Sequence, residues 1–299
     1  MKNKSLRRTM LFCPAINPKL YIGGPMYKSD CIIFDLEDAI RYDQKVEARD
    51  LLCEAFKALD FSGVEVFVRI NPLYTEFGRS DVLALVEAGI TRFRLPMCEN
   101  IENVLELDKL LSECEEKFNV ASGSCLIQCS IETPLGVENA LSLATASSRV
   151  TSISFGAEDY TRLLGVDRTK TGEELFYARS RVCNAASIAG VDAIDTVWAD
   201  FNDLEGFKKE VSLAKQLGFA GKSCIHPLQI DIVHDTFTPS FEEVEKSLII
   251  LEEVKKSGIE KGGVIQIDGK MIDIPVIEKA KKIVNLALGA GMIEGEYNE

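Results

Sequence analysis

The chain has 299 residues, with 34 Lys and Arg against 47 Asp and Glu, a formal net charge of −13. Hydrophobic residues make up 46% and charged residues 27%, which excludes a disordered tail, a collagen-like chain and a small disulfide-stapled module. The acidic excess argues against nucleic acid and anionic membranes as partners, and any anionic substrate then needs a local cation.

No stretch reaches the ~18 uninterrupted apolar residues that a membrane span needs. The basic start, MKNKSLRRTMLFCPAINP, has only a short apolar run, which reads as a strand rather than a signal peptide. Nine cysteines are scattered without a CxxC pair, so they read as buried, reduced thiols in a cytoplasmic protein.

In chain order, β-rich runs fall at Thr9–Pro14, Cys31–Leu36, Glu65–Ile70 and Arg92–Pro96, then at Cys125–Ile131, Val150–Phe155, Val191–Thr196 and Gly221–Ile225. Amphipathic helical patterns lie between most of them, as at Gln44–Leu59, Ile101–Phe118 and Leu204–Leu217. In Ile101–Phe118 the apolar Ile101, Val104, Leu105, Leu107, Leu110, Leu111 and Cys114 fall mainly on one face. Strands alternating with helices form a parallel sheet, and eight of them within about 225 residues suit a closed (β/α)₈ TIM barrel. A doubly wound open sheet is the competing architecture, but the turn after the first strand is CPAINPK, with no GxGxxG.

The barrel domain is expected over residues 1–236, and residues 237–299 do not continue its repeat. There Thr238–Gly258 opens with a capping sequence and continues at helical spacing, and Val264–Ile272 reads as a hairpin turning at Asp268-Gly269. A last helix is expected from Pro275 to Gly289. This segment is expected to be a C-terminal arm or lid.

Catalytic groups of such a barrel project from the C-terminal ends of the strands. The second strand ends in Asp35-Leu36-Glu37-Asp38, the third in Arg69-Ile70-Asn71, the fifth in Glu132-Thr133-Pro134 and the sixth in Gly156-Ala157-Glu158-Asp159. The seventh ends near Asp195, and the eighth runs through Lys222 to His226. Crowded carboxylates repel one another unless a cation separates them, and a hard divalent ion such as Mg²⁺ resolves the crowding. Glu132 and Asp159, on adjacent strands, are the candidate metal ligands, with Glu37 and Asp38 holding metal waters. The competing reading has these acids cap the following helices. Arg69, with Val66 and Val68 facing the helices, would point into the mouth and bind a substrate carboxylate or stabilise an enolate oxygen. An ion pair to Glu37 or Glu132 is its alternative role.

His226 reads as a structural loop residue and Trp198 as core. Arg7 and Arg8 precede the first strand and read as an exposed basic pair, or as the basic patch on which an acidic carrier docks.

RRTMLFCPA, DCIIFDLEDAI, FVRIN, RFRLP, SIETPLG, SFGAEDY, VDAIDTV, GFAGKSCIHPLQI and DGKMIDIPVIEKA follow in order along residues 7–290. Together they resemble the citrate lyase β-subunit family, the citryl–acyl-carrier-protein lyases, within the wider acyl-CoA lyase group. The chain departs from that group's Pro-Gly-xx-Pro turn by reading Pro14-Ala15-Ile16-Asn17-Pro18. The resemblance implies a (β/α)₈ barrel, Mg²⁺ held by Glu132 and Asp159, and Arg69 and Glu132 against the oxo-acid part of the substrate. It also implies that Asp273 reaches the active site of a neighbouring subunit in a homo-oligomer and exchanges a proton with the enolate carbon. The implied activity is Mg²⁺-dependent cleavage of a citryl thioester to oxaloacetate and an acetyl thioester, with acyl-carrier-protein and acyl-transferase subunits as partners. A malyl-CoA or citramalyl-CoA lyase or thioesterase shares the same rim. A non-catalytic carrier-docking subunit is a third reading, against which the retention of Arg69, Glu132 and Asp159 argues.

Overall fold

The computed structural model describes residues 6–257, 265–267 and 270–294. Eight strands, β1 (Thr9–Pro14), β2 (Cys31–Asp35), β3 (Glu65–Arg69), β4 (Arg92–Leu95), β5 (Leu126–Ile131), β6 (Val150–Phe155), β7 (Asp192–Asp195) and β8 (Gly221–Cys224), close into a barrel in sequential order. Every neighbouring pair is parallel, including β1 with β8, where Thr9 stands opposite Lys222. Parallel neighbours need crossovers, and these are supplied by α1 (Lys19–Met26), α2 (Lys45–Ala58), α3 (Gly78–Glu87) and α4 (Ile101–Lys117), then the short α5 (Pro134–Glu138) and α6 (Ala140–Ala144). Beyond them come α7 (Ala157–Leu164), α8 (Phe176–Ala189), α9 (Leu204–Leu217) and α10 (Leu228–Phe237). The (β/α)₈ reading therefore holds, and the open sheet does not.

The barrel interior has two characters. Met10, Cys31, Ile33, Phe67 and Ile194 form an apolar cluster with Phe12 against it. The β4–β6 side is polar: Arg94 donates to Ser130 and Gln128, and Gln128 donates to Ser152 and to Met10 Sδ. These groups are buried, and hydrogen bonding among them offsets the cost of leaving water.

At the N-terminal end of the barrel, Arg7 lies between Glu65 at 2.7 Å and Asp192 at 3.4 Å, and Arg8 pairs with Asp30 at 2.8 Å. The expectation of an exposed basic pair, or a carrier-docking patch, at Arg7 and Arg8 is therefore corrected. Carboxylates at the feet of β3 and β7 draw Arg7 inward, and Arg8 is spent on Asp30.

In α4, Val104, Leu107, Leu110, Leu111 and Cys114 are buried as the spacing predicts, whereas Ile101 and Leu105 are exposed. All nine cysteines are buried, and none is in a disulfide.

Residues Arg7–His234 make one compact unit; Leu6 belongs with the segment from Asp235 onward in a second. The division falls inside α10, slightly before the boundary expected at residue 236. Leu6 joins the second unit because Gly289, lacking a side chain, leaves room for it: a Cβ there would meet Leu6 Cγ at 2.9 Å. In that unit α11 (Phe241–Ser257) packs on α12 (Ile274–Gly289) through Leu251, Val254, Ile277, Ala280 and Val284. Ser240 and Glu243 cap α11 reciprocally. β9 (Ile265–Ile267) pairs antiparallel with β10 (Lys270–Ile272); the expected turn at Asp268-Gly269 lies outside the described residues.

Candidate active site

The C-terminal ends of the strands open on a cavity of about 430 Å³, a size suited to a small organic acid. Phe12, Asp38, Arg69, Arg94, Glu132 and Asp159 are among its lining residues. Arg69, Glu132, Asp159 and Asp38, singled out from the sequence, thus meet in one place.

Arg69 is the most constrained of them. Its Nε and Nη2 donate to the two Asp35 oxygens at 2.7 and 2.6 Å, a bidentate fork. Nη1 reaches Glu37 at 3.0 Å and Asp38 at 3.4 Å. Burial pulls the Arg69 pKa down, but the bond to Asp35 and the charges of Asp35, Glu37 and Asp38 outweigh it and leave the guanidinium firmly charged. Asp35, which also accepts hydrogen bonds from the Glu37 and Ala39 N–H groups, stays below the usual carboxylate range despite burial. Glu37 behaves oppositely. Burial, against the opposing pull of Arg69 and reinforced by Asp38 and Glu132, pushes it up to about 8. The expected contact of Arg69 with Glu37 is present at 3.0 Å; its partner at shorter range is Asp35, and no pair to Glu132 forms among the described residues.

Glu132, at the end of β5, is 4% exposed. Its Oε1 accepts the Met97 N–H at 2.6 Å. Met97 holds a left-handed backbone at φ 52°, uncommon for a residue with a side chain. On the other side Gly156 lets Glu132 pass: a Cβ there would lie 2.5 Å from Glu132 Cβ and 2.7 Å from Oε2. Burial, with the charge of Asp159 adding to it, raises the Glu132 pKa, and the Met97 N–H, Arg69 and Arg94 oppose that rise. Asp159 sits in the first turn of α7 and accepts from the exposed Arg162 at 2.6 Å.

A hard cation fits this arrangement. Glu132 and Asp159 offer oxygen donors only, from the ends of adjacent strands, and the buried Glu132 carboxylate lacks a full counter-charge. The alternative reading of these acids as helix caps fails for Glu132, because Thr133 caps α5 by accepting the Gly136 N–H at 3.0 Å.

Several expectations resolve differently. Asp195 faces out of the barrel toward the helices, bonded to Arg179 at 2.9 Å and Lys222 at 2.8 Å, and Glu210 completes the buried cluster. Its inclusion with the rim is corrected: adjacent strand residues point to opposite faces, and Ile194 takes the inward one. His226 accepts from Leu228 N and stacks on Phe201, a loop role. Trp198 is buried. Ala15 has no left-handed backbone, so the turn after β1 does not need a glycine there. Asp273 caps α12 in the second unit, accepting the Val276 N–H at 3.4 Å.

Sequence reasoning gave no role to Arg94, Met97 or Gly156. The RFRLP run contained Arg94, but nothing in it marked which arginine faces inward. Met97 and Gly156 act through backbone geometry.

A parallel (β/α)₈ barrel whose strand ends gather carboxylates around a guanidinium has the make-up of a barrel enzyme. The family model HpcH/HpaI aldolase/citrate lyase matches residues 8–227, and the chain belongs to that family. It is 41% identical to the citrate lyase subunit beta of Haemophilus influenzae over 282 residues, covering 94% of this chain and 97% of that one. Among solved structures it resembles the protein CitE from Mycobacterium tuberculosis in complex with magnesium, acetoacetate and coenzyme A, with TM-score 0.75, 29% identity, and coverage of 95% of this chain and 98% of that one. A second similar structure is the citrate lyase beta subunit from M. tuberculosis complexed with oxaloacetate and magnesium, with TM-score 0.68, 30% identity, and coverage of 80% of this chain and all of that one.

Proposed function

We propose that this chain is a Mg²⁺-dependent carbon–carbon lyase that cleaves a citryl thioester to oxaloacetate and an acetyl thioester. The observation that carries the reading is the convergence of Glu132, Asp159 and Arg69 on one cavity at the barrel mouth. The family membership and the magnesium and oxaloacetate bound by a relative support it.

Glu132 and Asp159 would hold Mg²⁺, with Glu37 and Asp38 accepting hydrogen bonds from its waters. When bound, the ion supplies Lewis acidity that lowers the pKa of the citryl hydroxyl. Arg69, held by Asp35, counters the negative charge that develops beside the breaking bond, with its fork already oriented before substrate arrives. Phe12 and Phe155 line the same cavity with apolar surface, and a lower local dielectric strengthens that electrostatic effect. Loss of the hydroxyl proton lets the central C–O become a carbonyl as the C–C bond breaks, and the electron pair leaves on the acetyl thioester as its enolate. Asp273, supplied by a neighbouring copy of the chain, is the group assigned to return a proton to that enolate carbon.

The thioester carrier is assigned as an acyl-carrier-protein subunit, with an acyl-transferase subunit completing a citrate lyase complex. The beta-subunit name of the H. influenzae relative supports a complex of this kind. Nine buried cysteines, none in a disulfide, support a reducing, cytoplasmic location. Among the described residues, no helix is long and apolar enough to cross a membrane.

Glu132→Ala and Asp159→Ala each should abolish magnesium-dependent release of oxaloacetate from a citryl thioester while far-UV circular dichroism stays unchanged. Full activity in either variant, or wild-type activity indifferent to EDTA, overturns the metal assignment. Parallel assays with malyl-CoA and citramalyl-CoA test the substrate assignment.

A further inference from the structure

Buried guanidiniums in this barrel are held by pairs of carboxylates. Arg7 has Glu65 and Asp192, Arg149 has Asp108 and Glu115, and Arg179 has Asp195 and Glu210. Arg94 is equally buried, 3% exposed, yet no carboxylate lies within ion-pair distance of it among the described residues.

Its partners are neutral. Nε donates to Ser130 Oγ at 2.9 Å and Nη1 to Gln128 Oε1 at 3.3 Å. Nη2 has no acceptor among the described residues, and the side chain lines the cavity. The guanidinium lies over the Phe12 ring at 4.9 Å, a ring it shares with Arg69 at 5.2 Å. Burial first, and the charge of Arg69 second, lower its pKa to about 10, so it remains a cation at neutral pH. Glu132, Asp35 and Glu37 act on it only through space, beyond pairing distance, so its direct acceptors stay neutral until an anion arrives. Arg69 is engaged by Asp35, Glu37 and Asp38, which leaves Arg94 as the cation of the cavity floor with donor capacity to spare.

The proposed substrate has a matching group. A citryl thioester differs from a citramalyl thioester by one carboxylate: the carbinol carbon bears CH₂–COO⁻ instead of CH₃. The corresponding products, oxaloacetate and pyruvate, differ in the same way. We propose that Arg94 is a specificity-determining residue that takes this terminal carboxylate, and so selects citryl over citramalyl substrates. The assignment rests on the lyase reading above for its substrate class.

The test uses the full chain with Arg94→Met and Arg94→Lys. Calorimetry in the presence of Mg²⁺ measures oxaloacetate and pyruvate binding, and cleavage of citryl-CoA and citramalyl-CoA is followed alongside. Arg94→Met should weaken oxaloacetate binding by ~30-fold or more while pyruvate binding changes by less than ~2-fold. Arg94→Lys, which keeps the charge but loses the fork, should fall between. The kcat/KM ratio of citryl-CoA to citramalyl-CoA should drop in parallel. Equal weakening of both ligands, unchanged oxaloacetate binding, or a wild type that does not prefer oxaloacetate to pyruvate overturns the proposal. A wild type that cleaves no thioester but shows the Arg94-dependent preference would defeat the lyase reading and leave Arg94's role intact. Citryl-CoA cleavage that is indifferent to Arg94→Met would do the reverse.

Discussion

Glu37 and Asp35 are two residues apart and both contact Arg69, yet they are held in opposite protonation regimes. Asp35 receives a two-pronged guanidinium and two backbone N–H groups, while Glu37 receives one guanidinium nitrogen and faces other acids. The consequence is a specific pH dependence. Glu37 goes from an ordinary 4.5 to about 8 on folding, so the folded protein keeps a proton that the unfolded chain gives up in between. Its stabilising contribution is complete below pH 4.5 and is lost as pH rises to 8. Glu37→Gln cannot ionise and should escape that loss. Metal-free denaturant titrations should show wild type and variant with a constant stability difference in acid, and a gap that widens in favour of the variant toward pH 8. A gap that does not change with pH would contradict the assignment.

The elements are joined by ion pairs as well as by apolar packing. Arg149, in front of β6, reaches Asp108 at 2.6 Å and Glu115 at 2.7 Å on α4, and donates to the Cys125 carbonyl in front of β5. Glu115 also accepts the N–H groups of Gly123 and Cys125, which hold the α4–β5 connection. Removing Arg149 leaves a buried carboxylate without its cation. Arg149→Ala should lose about 3 kcal/mol in chemical denaturation, with KM for the citryl thioester unchanged, because the cluster lies at the opposite end of the strands from the cavity. A loss below ~1 kcal/mol would show that this pairing is dispensable.

Strand and helix positions were legible because a closed parallel barrel must bury both faces of every strand, which leaves continuous β-rich runs between amphipathic helices. What a strand end does with its side chains was less legible. A single residue of offset turns a group from the cavity to the helices, which is how Asp195 came to be grouped with the rim and Arg94 went without a role. The acids at the ends of β2, β5 and β6 could be read because several fell together in sequence and on neighbouring or nearby strands. Arg7 could not be placed, because its partners Glu65 and Asp192 come from distant parts of the chain.

For the whole molecule, the net charge of −13 first excluded partners and now bears on how an acidic carrier docks. Arg7 and Arg8 do not serve that purpose, since both are committed to carboxylates at the foot of the barrel. Arg7→Ala should therefore lower stability by about 3 kcal/mol and leave KM for a carrier-bound citryl substrate unaltered. A raised KM with unchanged stability would restore Arg7 to the docking surface. At the mouth, by contrast, negative charge is gathered around Arg69 and the proposed metal site, where it prepares the cavity for a cation and then for a polycarboxylate.

The barrel mouth is built to break a carbon–carbon bond in a citryl thioester with the help of magnesium. Mass-spectrometric product analysis of the purified chain with citryl-CoA, with Mg²⁺ and with EDTA, tests it most directly. Oxaloacetate and acetyl-CoA should form in equal amounts with Mg²⁺, and neither with EDTA. Release of citrate and free CoA instead, or cleavage that persists in EDTA, would contradict it.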